Sequence, residues 1–309
     1  MKHQDEYRDP ELARLQLQAI GEAVAGFDRS MTLMEVCGTH TMAIYQHGIR
    51  SLLPEKIRLI SRPGCPVCVT PIGIIDQAIT LARRPEVILC SFGDMLRVPG
   101  SKDDLFRAKS EGGDVRIVYS PMDALALARE NPDREVVFFA AGFETTTAPV
   151  AGLIAHGVDS GWPPNLSILL SGRLTWPAVA LLLDSGTPGF DALIAPGHVS
   201  TVMGPEVWAF VAEKHGIPAA VAGFNPDILL AAMYSVLRQK IENRPFLDNC
   251  YPQLVRPGGN PTAKATLDRV MDVVDANWRG IGIIPGSGYA LKPGYRELDA
   301  RDRFGIEPD

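Results

Sequence analysis

Two cysteines three positions apart carry the strongest chemical signal in this sequence, in the run Arg62-Pro63-Gly64-Cys65-Pro66-Val67-Cys68. Thiols at this spacing form a disulfide or grip a metal. Pro63 and Pro66 stiffen the loop, and Gly64 admits a close backbone approach. A helix that follows would turn its positive end toward the sulfurs and favour thiolate. Packing alone is the weaker account, because a tight turn needs no sulfur. A third cysteine, Cys37, opens Cys37-Gly38-Thr39-His40-Thr41. A lone buried cysteine is ordinarily a small hydrophobe. Here a turn at Gly38 and Thr39 would bring His40 to the same point as the thiol. His40 could ligate a metal, relay a proton or cap a helix, with a capping or core role about even with a functional one.

Carboxylates and a second histidine extend the set. Asp94 follows Phe92-Gly93, and Glu144 opens Glu144-Thr145-Thr146-Thr147. Both are candidates to face a site, although Glu144 and the threonines also suit the capping of their own helix. His198 follows Pro196-Gly197 and divides between ligand, proton carrier and turn residue. Cys90 lies within an apolar strand and reads as core. Cys250 lies in a loop without neighbouring Cys or His and is assigned no role.

The elements that must position these residues alternate between short apolar strands and helical patterns. Strands are expected at Thr32–Val36, Ile57–Ser61, Val87–Phe92, Val115–Tyr119, Val136–Ala140, Leu166–Leu170, Ala192–Ala195 and Ala219–Val221. Helices are expected at 8–26, Ile72–Ala82, Pro121–Glu130, Thr146–Ala155, Pro177–Leu183, Asp227–Gln239 and Thr262–Trp278. Residues 248–262, rich in Pro, Gly and Asn, read as a loop. Such alternation implies an α/β fold with mainly parallel sheets covered by helices. Eight strands suit two small sheets better than one. The predicted division is an N-terminal helical segment (1–30), a first α/β domain with the Cys motifs (31–125), a second α/β domain (126–245) and a C-terminal loop, helix and return segment (246–309). The candidate residues all follow strands. In open α/β sheets ligands bind beyond the carboxyl ends of strands, so a shared central cleft between two similar domains is expected.

Composition excludes several classes. The 309 residues carry a formal net charge of -6, which argues against nonspecific nucleic-acid binding. No apolar run is long enough to span a bilayer, and Met1 to Arg14 lacks the apolar core of a signal peptide. A cytoplasmic location is expected. Five cysteines in such a chain then point to metal or redox chemistry rather than structural disulfides.

Taken together, Glu35-Val36-Cys37-Gly38-Thr39-His40-Thr41, the segment Pro63–Pro71, the segment Phe92–Ser101 and Gly142-Phe143-Glu144-Thr145-Thr146-Thr147 resemble the signature segments of the HypD family. Pro196-Gly197-His198-Val199-Ser200 and Trp278-Arg279-Gly280-Ile281-Gly282 are similar too, and the likeness runs from about Arg8 to Phe304. The resemblance implies a maturation factor for nickel–iron hydrogenases. Such a protein pairs with the small chaperone HypC and holds iron while cyanide and carbon monoxide ligands are added. Cyanide comes from HypE, itself supplied by HypF. The resemblance further implies Cys37 as the iron-holding thiolate, Cys65 and Cys68 as a redox pair, and His40, Asp94, Glu144 and His198 around the same cleft. It implies two α/β domains of similar topology, followed by a tail with a four-iron cluster.

The sequence departs from the family at several points. No cysteine follows Cys250 in these residues, so the four thiolates of that cluster are not expected here. Arg62 stands where Gly is usual, Asn225 replaces a Glu, and Arg173-Leu174-Thr175 replaces a His-containing stretch. Two other readings of the cysteines are a zinc enzyme with a Cys₃His site (Cys37, His40, Cys65, Cys68) and a disulfide oxidoreductase.

Overall fold

The computed structural model describes residues 9–62 and 64–307. Arg8 and Pro63, which figure in the sequence reading, lie outside the described residues. Two compact units divide the chain. One comprises Met1–Cys65 and Ala178–Asn260, the other Pro66–Pro177 and Pro261–Asp309.

The first unit is built on a five-stranded, wholly parallel sheet. Its strands are β1 (Met31–Glu35), β2 (Ile57–Ser61), β7 (Ala192–Pro196), β8 (Ala219–Ala222) and β9 (Leu247–Asn249), in the order β2-β1-β7-β8-β9. Every residue of β7 and β8 is buried, as expected for central parallel strands covered on both faces. The edge strand β2 is only partly buried. The helix Pro10–Ala25 starts where Asp9 accepts the amides of Glu11 and Leu12 and proline occupies the first turn, so that two otherwise unbonded donors are satisfied. Its Ile20 and Val24 join Leu33, Ile194, Leu229, Met233 and Leu237 in the core. The last three come from the helix Pro226–Ile241.

The second unit holds a four-stranded parallel sheet in the order β4-β3-β5-β6, with β3 at Val87–Ser91, β4 at Asp114–Ile117, β5 at Glu135–Gly142 and β6 at Leu166–Gly172. Ile75, Ile79, Leu89, Val137, Phe139 and Leu169 belong to its core. An antiparallel hairpin, β10 (Met271–Trp278) with β11 (Gly282–Leu291), completes the unit.

All eight expected strands are present, in two parallel sheets as the alternation implied. Two expectations fail. The pattern read as one helix over Thr262–Trp278 is a helix only over Pro261–Val270, and Met271 onward is β10. A register irregularity between Val274 and Ala276 breaks the period-two alternation that would have marked the strand. The contiguous division at 125/126 also fails, because β1 pairs with β7 as well as with β2, which puts strands from both sides of that boundary in one sheet. The chain leaves the first unit after Cys65 and returns through the helix Thr175–Asp184. Periodicity marks a strand, but which apolar edge it pairs with depends on burial contributed by distant segments.

Candidate functional site

In the first unit the candidates gather at the carboxyl ends of adjacent strands. Reading across β2, β1, β7 and β8, those ends carry the Cys65 loop, Cys37, His198 and the Gly223-Phe224 segment. Cys37 is the extended residue immediately before the helix Gly38–Gln46. That helix begins at Gly38, so the expected Gly38–Thr39 turn is its first turn. The thiol faces the amides of Thr39 and His40 and the Thr39 hydroxyl, all of which favour thiolate, while the nearby Glu35 charge opposes it. Burial outweighs the donors and pushes the Cys37 thiol above its ordinary value, because an anion loses more hydration there than these bonds return.

Glu35 braces this loop from below. It is 4% exposed, and its carboxylate accepts the Cys37 amide at 3.2 Å and the Thr41 hydroxyl. Thr41 Oγ1 also lies 3.1 Å from the Ser61 hydroxyl, which can donate to it and is within reach because Ser61 lies opposite Glu35 on β2. The Cys65 loop is tied in by backbone. The Gly38 N–H donates to the Gly64 carbonyl at 3.0 Å, and a Cβ at position 64 would stand 2.8 Å from the Cys37 nitrogen. Only glycine admits that approach. Cys65 is half-buried and leads into the one-turn helix Pro66–Val69, on which Cys68 is exposed.

His40 is fully buried. Its Nε2 lies 3.1 Å from the Ala222 carbonyl, and its Nδ1 has no partner. Burial first, and His198 in lesser measure, lower its pKa to about 4. The ring is therefore neutral at pH 7, with Nε2–H donating and the Nδ1 lone pair free. Phe224 stands beside both imidazoles, with its centroid 4.9 Å from His40 and 4.0 Å from His198. His198 is exposed at the start of the helix Gly197–Met203.

In the second unit the candidates likewise follow neighbouring strands. Asp94 stands exposed in the turn Gly93–Arg97 after β3. Glu144 follows β5 and is fully buried. Its carboxylate accepts both the amide and the hydroxyl of Thr175, the latter at 2.7 Å. Its chief side-chain partner is thus the segment after β6. Burial raises its pKa to about 7 against the pull of these bonds. The Arg173-Leu174-Thr175 departure has a structural account. The Arg173 guanidinium donates to the Asn277 and Gly172 carbonyls, and the Leu174 amide donates to Ser287. These bonds fasten β6 to the hairpin.

Sequence reasoning missed Glu35, Thr175 and Phe224. Glu35 stood in the motif without an assigned role, while Phe224 and Thr175 carry no spacing signal. Cys90 is core, as read. Cys250 packs partly buried in the first unit, with its thiol near Asp248 and pushed up to about 12. Among the described residues no three of His, Cys, Asp and Glu are grouped to hold a metal. No helix among them is long and apolar enough to cross a membrane.

Comparison with known proteins matches residues 11–309 to the family model HypD, described as the hydrogenase formation hypA family. The hydrogenase maturation factor HypD of Azotobacter vinelandii is 46% identical over 99% of this chain and 82% of its own length. The hydrogenase expression/formation protein HupD of Azotobacter chroococcum is 46% identical over 100% of this chain and 83% of its own. HypD of Escherichia coli is 42% identical, covering 100% of this chain and 84% of its own length. On this whole-chain likeness, and with every signature segment placed at a strand end, the chain belongs to the HypD family of hydrogenase maturation factors.

Proposed function

We propose that this protein, paired with a HypC-type chaperone in the cytoplasm, holds an iron ion as cargo while cyanide and carbon monoxide ligands are added to it. Cys37 supplies the protein's thiolate to the iron. HypE, fed by HypF, is the cyanide donor. The observation that carries this reading is the setting of Cys37: a thiol facing the first-turn amides of Thr39 and His40, with the loop of Cys65 in backbone contact through Gly64. A soft metal takes the place of the proton that burial otherwise retains. The two amides then stabilise the anionic sulfur without competing as ligands.

Cys65 and Cys68 act as the redox pair in this reading. A dithiol–disulfide couple carries two electrons and two protons. His198, exposed beside Phe224, is the candidate proton carrier. Neutral His40 lies behind it as a fixed acceptor. Asp94 and Glu144 enter through the motifs they share with the family. Glu144 is a positioning residue, since its contacts hold Thr175.

Co-purification with a HypC-type partner, followed by infrared spectroscopy for iron-bound cyanide and carbon monoxide, tests the proposal. Cys37→Ala should abolish iron retention while far-UV circular dichroism stays unchanged. Wild-type iron content in the variant complex would remove Cys37 from its role.

A further inference from the structure

The segment Trp278-Arg279-Gly280-Ile281-Gly282 shares in the family likeness, yet the iron-holding reading uses none of its groups. In the second unit it forms the turn of the β10–β11 hairpin. The Ile281 amide donates to the Trp278 carbonyl at 3.0 Å, and Gly280 and Gly282 hold φ of +78° and +100°, which glycine adopts without strain. The base of the turn is anchored in the core, where the fully buried Trp278 ring stacks on Phe143 with centroids 5.9 Å apart. The tip is not. Ile281 and Ile283 are 51% and 73% exposed, so packing does little to hold it. Arg279 ties it down instead, its guanidinium donating to the Pro99 carbonyl at 3.0 Å. That anchor is itself fixed, because Ser101 donates its amide at 2.8 Å and its hydroxyl to Asp76 on the helix Ile72–Ala82.

The same residue reaches the dithiol helix. The Arg279 backbone amide donates to the Val69 carbonyl at 2.9 Å, and Val69 is the last residue of the one-turn helix that carries Cys68. A single helical turn is marginal on its own, and its last carbonyls need outside donors. Thr70 serves the Pro66 carbonyl through its amide and its hydroxyl, at 3.0 and 2.7 Å, and Arg279 serves Val69. We propose that Arg279 is a positioning residue for the dithiol: bound to the Val69 and Pro99 carbonyls at once, it holds the helix end that sets where Cys68 stands, and so favours closure of Cys68 on Cys65. This rests on the reading of Cys65 and Cys68 as the redox pair. Closure needs Cα atoms roughly 4.4–6.8 Å apart, and a thiol already confined loses less freedom when the bond forms. With oxidised glutathione, the Cys65–Cys68 bond forms as the glutathione disulfide breaks, and the two thiol protons pass to two molecules of reduced glutathione. A loosened helix end shifts that equilibrium toward the dithiol.

The test is titration of the full chain in glutathione redox buffers, with the Cys65–Cys68 disulfide scored by peptide mass spectrometry. Arg279→Met keeps the length of the side chain and removes its donors. Its equilibrium constant for disulfide formation should fall by about tenfold, the scale of one charge-assisted hydrogen bond and about 30 mV for a two-electron couple. Arg279→Lys, whose ammonium still donates to a carbonyl, should restore most of the loss. Gly280→Ala strains the turn at its positive φ and should lower the constant in the same direction, which keeps the test open if Arg279→Met does not fold. A merely structural Arg279 would lower the melting temperature of the dithiol and disulfide forms alike and leave the glutathione equilibrium unmoved. That result, or an equal fall in Arg279→Met and Arg279→Lys, would overturn the proposal. A wild-type chain that forms no Cys65–Cys68 disulfide would overturn the redox reading along with it, whereas a disulfide that forms as readily in the variants as in the wild type overturns this inference alone.

Discussion

Gly64 and Cys37 are in backbone contact. A Cβ at position 64 would fall 2.8 Å from the Cys37 nitrogen and 3.1 Å from its Cα, while the Gly38 amide donates to the Gly64 carbonyl. The loop ending in Cys65 and the loop carrying Cys37 are therefore one backbone assembly. Gly64→Ala must push them apart. Overpacking of this kind costs about 1–3 kcal/mol, and the variant should unfold at lower denaturant and lose iron in the chaperone complex. Ordinary stability together with ordinary iron content would show that the two loops do not depend on each other.

Burial keeps Cys37 protonated at neutral pH. Alkylation of Cys37 by iodoacetamide, followed by peptide mass spectrometry, should be slow at pH 7 and accelerate only above pH 9.0, the ordinary value for a thiol. Iron displaces the proton, so iron affinity should rise by up to about tenfold per pH unit across the neutral range. Iron affinity that does not vary with pH would mean that Cys37 binds without losing a proton, contrary to its proposed role.

The Glu144 carboxyl has a folded-state pKa raised from 4.5 to about 7. The folded protein thus holds this proton more tightly than the unfolded chain does. Its stabilising contribution is complete below pH 4.5 and declines as the pH rises through 7. At about 1.4 kcal/mol per pH unit, the decline amounts to about 3 kcal/mol. Glu144→Gln should flatten the stability profile between those limits while retaining an acceptor for Thr175. Urea titrations at several pH values decide this, and identical profiles for variant and wild type would refute it.

Ser287 links the two strands of the hairpin. Its hydroxyl accepts the Trp278 indole N–H at 2.8 Å and donates to the Ile284 carbonyl, and both Trp278 and Ser287 are fully buried. Ser287→Ala leaves the indole donor unpaired, at a cost of about 1–3 kcal/mol. Equilibrium unfolding should show that loss. A double change with Trp278→Phe, which removes the donor as well, should recover part of it.

The sequence by itself determined eight of the nine strands of the two parallel sheets and the position of the chemistry along the chain. Val87–Ser91 and Ala192–Pro196 are short apolar runs bounded by Gly and Pro, and such local patterns specify a buried parallel strand without help from elsewhere. Cys37, Cys65 and His198 could each be placed after a strand for the same reason. Tertiary structure alone decided which strand ends became neighbours. β1 lies beside β7 across more than 150 residues of chain, and only that pairing brings Phe224 between His40 and His198 and sets Ala222 to receive the His40 ring. It also decided protonation. Glu144 and Asp94 are both acidic residues after a strand, yet one is sealed against Thr175 and the other stands in solvent, and desolvation is a property of the whole packed surroundings. The hairpin was illegible for a related reason: the break in register at Val274–Ala276 erases the alternation that local reading relies on, and Ser287, Arg173 and Asn277 hold it through contacts that no spacing rule encodes.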